Sequence, residues 1–121
     1  MKIKVKRSKI HNKGVFAKKN IRKNEVIEMC NLIILNQKDT EIINKTSLYN
    51  YYFSWNDKGS GIALGNGSLY NHSYEPNAKY EKKFITNTLR IVALKSITAG
   101  SEITVNYNGN PKQKNKVWFD K

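Results

Sequence analysis

Turn residues constrain this chain more than any apolar segment does. Its apolar runs are short, Leu32–Leu35 being as long as any, and Asn, Gly and Asp stand between them. A transmembrane helix needs roughly 20 consecutive apolar residues, and nothing here approaches that. His11-Asn12-Lys13-Gly14, Asn20–Asn24, Asn56–Gly61, Ile85-Thr86-Asn87 and Thr98-Ala99-Gly100 all have turn composition. Between them lie segments rich in Val, Ile, Thr and Tyr, which suit a pleated, half-buried surface. The pattern predicts many short strands and little helix.

Lys2–Arg7 alternates basic residues with Ile3 and Val5, as an edge strand does, and lysines there discourage edge-to-edge pairing. Val15-Phe16-Ala17 begins the next strand. Glu25–Leu35 suits one bent strand or two short ones. Asp39 is a candidate helix cap, although the Thr, Asn and Ile around it are indifferent helix formers. Ser47–Phe53 suits a helical turn or a short strand that packs its aromatics inward, and Leu69-Tyr70 a short helical turn. Ala78–Phe84 and Thr88–Leu94 pair across 85–87, and Glu102–Val105 forms the last strand. Asn108–Pro111 ends the strands, and a charged segment, Lys112–Lys116, follows.

At 121 residues the chain has room for one core but not two. Its basic N-terminus lacks the apolar centre of a signal peptide. The one cysteine, Cys30, excludes an internal disulfide framework and a multi-cysteine zinc site, and implies a reducing, intracellular compartment without secretion. The net charge of +13 comes from 22 basic and 9 acidic residues. Such an excess attracts phosphate and points to nucleic-acid proximity, with no sign of a membrane partner. Composition offers a second explanation. Three of the bases are Arg, and Lys, Asn and Ile are abundant, as in proteins of AT-rich genomes. Lys without Arg is also poorly suited to reading bases.

The stretch Ser68-Leu69-Tyr70-Asn71-His72-Ser73-Tyr74-Glu75-Pro76-Asn77 is polar, tightly turned and dense in hydrogen-bonding side chains. Alone it is either a site or a plain surface loop. Two further stretches bear on the choice: Lys13-Gly14-Val15-Phe16-Ala17 upstream and Gly100-Ser101-Glu102-Ile103-Thr104-Val105-Asn106-Tyr107 downstream. In this order the three resemble the SET-domain methyltransferases, which move a methyl group from S-adenosylmethionine to a protein lysine. The similarity runs from Lys9 to Tyr107, with a fainter echo at Val117-Trp118-Phe119, and is greatest to short stand-alone viral and bacterial members. It implies a mainly β fold of several short curved sheets with little helix and a knot-like crossing near the C-terminus. The SET domain would occupy residues 1–107, and a short basic segment, 108–121, would close the cofactor and substrate site.

The activity that the resemblance implies is protein-lysine N-methyltransferase. The lysine must be neutral when it attacks, although its free pKa is about 10.4. Alignment and desolvation are then the protein's main tasks. Tyr107 matches the family's catalytic tyrosine. Its hydroxyl would orient the amine, since a phenol with a pKa of about 10 is a poor base at neutral pH. Cofactor-contacting positions are Lys13, Gly14, Val15 and Phe16 of the glycine loop, then Asn71, His72 and Tyr107. Trp118 and Phe119 would stack on the adenine, where larger members use a cysteine-bound zinc. The first loop glycine of the family is Asn12 here, and Lys13 replaces the usual aromatic; asparagine tolerates left-handed φ, so the turn can form. Tyr51, Tyr80 and Cys30 match substrate-channel positions, Tyr80 standing where some members carry a tyrosine that limits methylation to one group. Each of the three is equally at home in an ordinary core, and Tyr107 in a strand end with a solvated hydroxyl.

No metal site is expected. His72 has only His11 as a second histidine, and zinc takes about four ligands. The implied partners are a protein substrate (a histone or another protein), nearby nucleic acid, and a second copy of the chain, since small members dimerise. The place of action would be the cytoplasm or a host nucleus. A different class of function also fits: a non-catalytic basic module of the same fold, tethered to nucleic acid or chromatin, with a glycine loop that no longer holds cofactor. Intact Asn71, His72 and Tyr107 speak against it.

Overall fold

Alternation sets the first sheet. In the computed structural model, which describes residues 2–56 and 58–107, β1 (Ile3–Arg7) buries Ile3 and exposes Lys4 and Lys6. It is an edge strand, antiparallel to β2 (Lys13–Ala17). The far side of β2 pairs with β9 (Glu102–Val105), which is flanked in turn by β6 (Asn71–His72). The β6–β9 pair is parallel, with Asn71 beside Thr104 and His72 beside Val105. Two residues of the polar loop thus become a strand of the sheet.

The second sheet contains β3 (Val26–Leu35), β4 (Phe53–Trp55), β5 (Gly59–Ala63), β7 (Ala78–Lys83) and β8 (Thr88–Ala93), in the order β4-β5-β3-β8-β7. Of the two alternatives for Glu25–Leu35, the single bent strand is the one formed, with a register shift between Val26 and Glu28. The two outer strands, β4 and β7, are joined by side chains. Phe53 meets the Tyr80 ring edge-on at 5.2 Å, Lys82 Nζ donates to the Ser54 carbonyl at 2.8 Å, and Trp55 lies 4.8 Å from Phe84. Strand twist has therefore curled the sheet until its edges meet. Tyr80, Lys82 and Phe84 are spaced by two, so all three point toward that seam.

Helix α1 (Gln37–Ile43) is capped by Asn36, whose side chain accepts from the Asp39 N–H at 2.9 Å. Asp39, the expected cap, sits in the first turn instead, where its charge suits the helix dipole. Ser47–Asn50 is a 3₁₀ turn. Its Leu48 and Tyr49 are 44% and 46% exposed, not packed inward, because so short a turn offers the core a single face. A second 3₁₀ turn spans Gly67–Leu69, one residue earlier than expected at its end.

The core joins both sheets through Ile3, Val15, Ile21, Trp55, Tyr70, Leu89, Ile91 and Ile103. Full burial of each Val, Leu or Ile stabilises the fold by roughly 1.5–3 kcal/mol. Trp55 is the largest fully buried side chain, and its indole N–H donates to Asn87 Oδ1 at 3.0 Å. Asn87 turns the β7–β8 hairpin with φ +52°, a left-handed conformation that asparagine tolerates.

Candidate active site

The parallel β6–β9 pair brings the polar loop and the Tyr107 strand into one layer. Beyond the ladder, the Ser73 N–H donates to the Val105 carbonyl at 3.0 Å, and the Tyr107 N–H donates to His72 Nδ1 at 3.1 Å. With Nδ1 accepting, the imidazole is neutral and carries its proton on Nε2. The His72 ring also packs against Tyr74 at 4.3 Å and Tyr107 at 5.2 Å. Among the described residues no group of three His, Cys, Asp or Glu side chains could hold a metal ion.

Asn71 is 3% exposed, and its side-chain nitrogen is wholly engaged within the protein. It donates to the His11 and Lys13 carbonyls, both at 3.1 Å, and to Glu102 Oε2 at 2.8 Å. Ser8 Oγ donates to the same carboxylate at 2.7 Å. One amide and one carboxylate thus pin both ends of the 8–13 loop against β9. Gly14 is required by that clamp, since a Cβ there would overlap the Glu102 carboxylate and lie 3.0 Å from Asn71 Nδ2. Asn12 adopts φ +40°, so the turn expected from a glycine is made by asparagine. Asn77 completes the lattice: it donates to the Glu102 carbonyl and accepts from the Thr104 N–H, both at 2.9 Å.

Tyr107 is held from its backbone and its tip. Its hydroxyl donates to the Tyr70 carbonyl at 2.7 Å. Burial pushes its pKa up to about 12, with Tyr51, Glu102 and Tyr80 adding to the effect. A phenol so placed stays protonated at neutral pH, and its proton is committed to a carbonyl. Tyr70 itself is buried and donates to Glu28 Oε1 at 2.7 Å, while Glu28 Oε2 accepts from the Asn66 N–H at 2.9 Å. Glu28 is therefore the post on which the 66–70 segment rests.

Two cavities meet at Tyr107. The larger, of about 1020 Å³, is lined by the 10–13 loop, Asn71 and His72. The smaller, of about 510 Å³, is rich in aromatics, among them Tyr52, Phe53 and Tyr80. Asn50, Tyr51, Ser68 and Tyr107 line both and form the neck between them. Tyr80 donates to the Tyr107 carbonyl at 3.2 Å, tying the narrow cavity's wall to the neck. Burial raises the Tyr80 pKa.

Of the residues expected to contact cofactor, Lys13, Asn71, His72 and Tyr107 line the larger cavity. Gly14, Val15 and Phe16 do not. β2 is paired on both sides, so its backbone groups are used by the ladders, and Val15 is buried in the core. Phe16 is also buried, with Lys6 Nζ 4.4 Å above its ring. Tyr51 and Tyr80 line the narrow cavity, and Cys30 lines neither. The alternation of β3 sends Cys30 into the core behind Gly67, where an added Cβ would come within 3.1 Å of its sulfur. Burial and the neighbouring Glu28 push that thiol's pKa up to about 12. Trp118 and Phe119 lie outside the described residues. Four supporting residues were not legible as such: Ser8, Glu28, Asn77 and Glu102. Asn77 and Glu102 stand inside the two motifs, but a hydrogen bond between distant segments leaves no trace in either.

A double cavity necked by a strand-end tyrosine, beside a parallel strand carrying Asn-His, is an arrangement for bringing two molecules together at one point. The chain belongs to the SET-domain family, whose model matches residues 12–108. It is 27% identical over 109 residues to a Schizosaccharomyces pombe histone-lysine N-methyltransferase described as H3 lysine-37 specific, covering 89% of this chain and 70% of that protein. It is 32% identical over 124 residues to the variant-silencing SET domain-containing protein of Plasmodium falciparum, and 29% identical over 103 residues to the histone-lysine N-methyltransferase SET9 of Gibberella zeae. The match spans 5% and 15% of those two longer proteins. A crystal structure of a candidate histone methyltransferase from Plasmodium falciparum superposes with a TM-score of 0.70 at 30% identity, covering 90% of this chain and 99% of that one.

Proposed function

We propose that this protein is an S-adenosylmethionine-dependent protein-lysine N-methyltransferase. The observation that carries the reading is the neck: Tyr107 lines both a large cavity walled by the 10–13 loop and β6 and a smaller one rich in aromatics. Two substrates approaching from opposite sides would meet at its hydroxyl. The relatives named as histone-lysine methyltransferases support the reaction class, and they favour a histone as substrate.

The larger cavity suits the cofactor in size and in chemistry. It offers polar backbone and side chains from the 10–13 loop and β6, with the turn at Asn12 formed. Lys13, Asn71, His72 and Tyr107 would hold the cofactor there, Asn71 acting through the loop that it clamps. When bound, S-adenosylmethionine supplies an electrophilic methyl group on a cationic sulfur. The narrow cavity would take the lysine stem between Tyr51, Phe53 and Tyr80, whose faces suit an aliphatic chain and a cationic head. The Tyr107 hydroxyl orients the amine as an acceptor, because its own proton is given to Tyr70. It does not serve as base, since burial holds it protonated. The target amine loses its proton to solvent instead.

Residues 108–121, with Trp118 and Phe119, would close this site, and a histone substrate would place the protein in a nucleus or in the cytoplasm that feeds it. Ten basic residues, from Lys2 to Lys23, precede the first acid, Glu25, and this basic N-terminal region would favour nucleic acid beside the substrate. A homodimer, also expected from the resemblance, is checked by sedimentation velocity.

Calorimetric titration of S-adenosylmethionine into wild type, Tyr107→Phe and Asn71→Ala tests the reading. Binding should survive Tyr107→Phe and collapse in Asn71→Ala. A folded wild type that binds no cofactor at millimolar concentration would sink it. The non-catalytic basic module would then lead.

A further inference from the structure

The narrow cavity has a charged residue on its wall that the methyl-transfer reading leaves unused. Lys82 lies on the same face of β7 as Tyr80 and lines the cavity beside Ser54. Its Nζ donates to the Ser54 carbonyl at 2.8 Å and stands 6.0 Å from the centroid of the Tyr80 ring. That carbonyl belongs to the opposite edge of the curled sheet, so the ammonium is held across the seam. No carboxylate lines the cavity among the described residues; the titratable groups that share its wall with Lys82 are the phenols of Tyr51, Tyr52, Tyr70, Tyr80 and Tyr107. The adjacent acid on β7, Glu81, points to the other face and is engaged by Lys79, Lys83 and Arg90.

A channel meant to receive a lysine thus has, among the described residues, a cation as its sole charged wall residue. An acidic wall would hold an entering ammonium as an ammonium and stop the reaction. A cationic wall does the opposite. We propose that Lys82 is a positioning residue that acts on the target lysine: its fixed charge disfavours the ammonium form of the amine inside the channel and raises the neutral, nucleophilic fraction. The proton leaves to solvent, and no bond to Lys82 forms. Proximity of a second cation is a recognised way to depress an amine's pKa. Two amines so placed titrate as a pair, and a proton on one opposes a proton on the other. Burial itself lowers the Lys82 pKa, while the Ser54 carbonyl is an acceptor that favours its charged form. The alternative is that Lys82 only staples β4 to β7.

This inference rests on the methyltransferase reading, and its test separates the two. The probe is a histone H3 tail peptide carrying a single lysine. Initial rates with S-adenosylmethionine are measured from about pH 6 to pH 10 for wild type, Lys82→Met and Lys82→Arg, with thermal melts to confirm folding. In Lys82→Met the rising limb of kcat, which reports ionisation in the bound complex, should move to higher pH by roughly one unit, with about tenfold slower transfer on its acid side. Lys82→Arg should restore the wild-type limb. Superimposable wild-type and Lys82→Met profiles, or a uniform loss at every pH, would overturn the proposal and leave the transferase reading intact. A second readout needs no turnover. At neutral pH, wild type should bind the peptide with norleucine in place of lysine more tightly than the lysine peptide, and Lys82→Met should narrow that preference. Failure of wild type to methylate any histone would count against the transferase reading, and an unchanged norleucine preference would still decide against Lys82.

Discussion

The two cavities that meet at Tyr107 are built by opposite means. Around the larger one, shape is set by directional bonds: Asn71, Asn77, Ser8 and Glu102 link the 8–13 loop, β6 and β9 through side-chain contacts of 2.7–3.1 Å. Around the narrow one, shape is set by ring packing and sheet curl, with Phe53 on Tyr80 and Trp55 near Phe84. Hydrogen bonds have narrow geometric wells, so the first region fixes backbone positions closely. Ring packing is less directional, so the second region is held mainly by buried contact area. A site that must hold one constant molecule and admit a variable one would gain from this division.

Breaking the neck should have the largest effect. Tyr107→Phe should lower kcat by about 10²–10³-fold with cofactor affinity nearly unchanged, as read by steady-state kinetics beside calorimetry. A comparable loss of affinity would show that the neck belongs to the cofactor cavity alone. On the bonded side, Glu102→Ala removes the acceptor shared by Ser8 and Asn71. The fold should lose roughly 1–3 kcal/mol in urea denaturation, with weaker cofactor binding. Gly14→Ala should do the same through overlap with Glu102, and a double variant should cost less than the sum of the two.

The pH dependence of stability sharpens the contrast. The Tyr107 pKa is raised in the folded state, to about 12, from an unfolded value near 10. Its contribution is therefore complete below about pH 10 and is lost as pH rises toward about 12. Denaturation at increasing alkaline pH should show a decline of roughly 1–3 kcal/mol from this group, reduced in Tyr107→Phe. A flat profile in both proteins would mean that the hydroxyl is not confined as described.

Smaller effects belong to the packed side. Tyr80→Phe removes the bond to the Tyr107 carbonyl and should cost roughly 0.5–1.5 kcal/mol. By freeing room beside the amine, it should increase the share of peptides carrying two or three methyl groups in mass spectra. An unchanged product distribution would exclude Tyr80 from the limit on methylation. Cys30 should be the quietest position. With its thiol buried, a disulfide reagent at neutral pH should label it only as fast as the protein opens. Rapid labelling of native protein would place it in a cavity after all.

The strands were legible because their signals are local. Lys2–Arg7 alternates, 85–87 turns, and Asn87 supplies the left-handed residue that its hairpin needs. The cofactor-loop residues were less legible. Matching the Gly-Val-Phe motif points to Gly14, Val15 and Phe16, yet their motif character comes from packing: Gly14 makes room for Glu102 and Asn71, and Val15 fills the core. The helix cap went to Asn36 instead of Asp39 because either polar side chain can cap, and the preceding strand decides where the helix starts.

What the sequence determined by itself was a strand-rich domain, its turns, and three motifs in an order that marks the family. Those depend on residue type and spacing, which a chain carries whether folded or not. Only the tertiary structure decided that Asn71 serves His11 and Lys13, that Tyr107 gives its proton to Tyr70, and that Lys82 reaches Ser54 across a closed seam. Each of those contacts joins residues 28 or more positions apart that sheet pairing or sheet curl brings together. Contacts of that kind are set by strand order and twist, which no short stretch of the chain encodes alone.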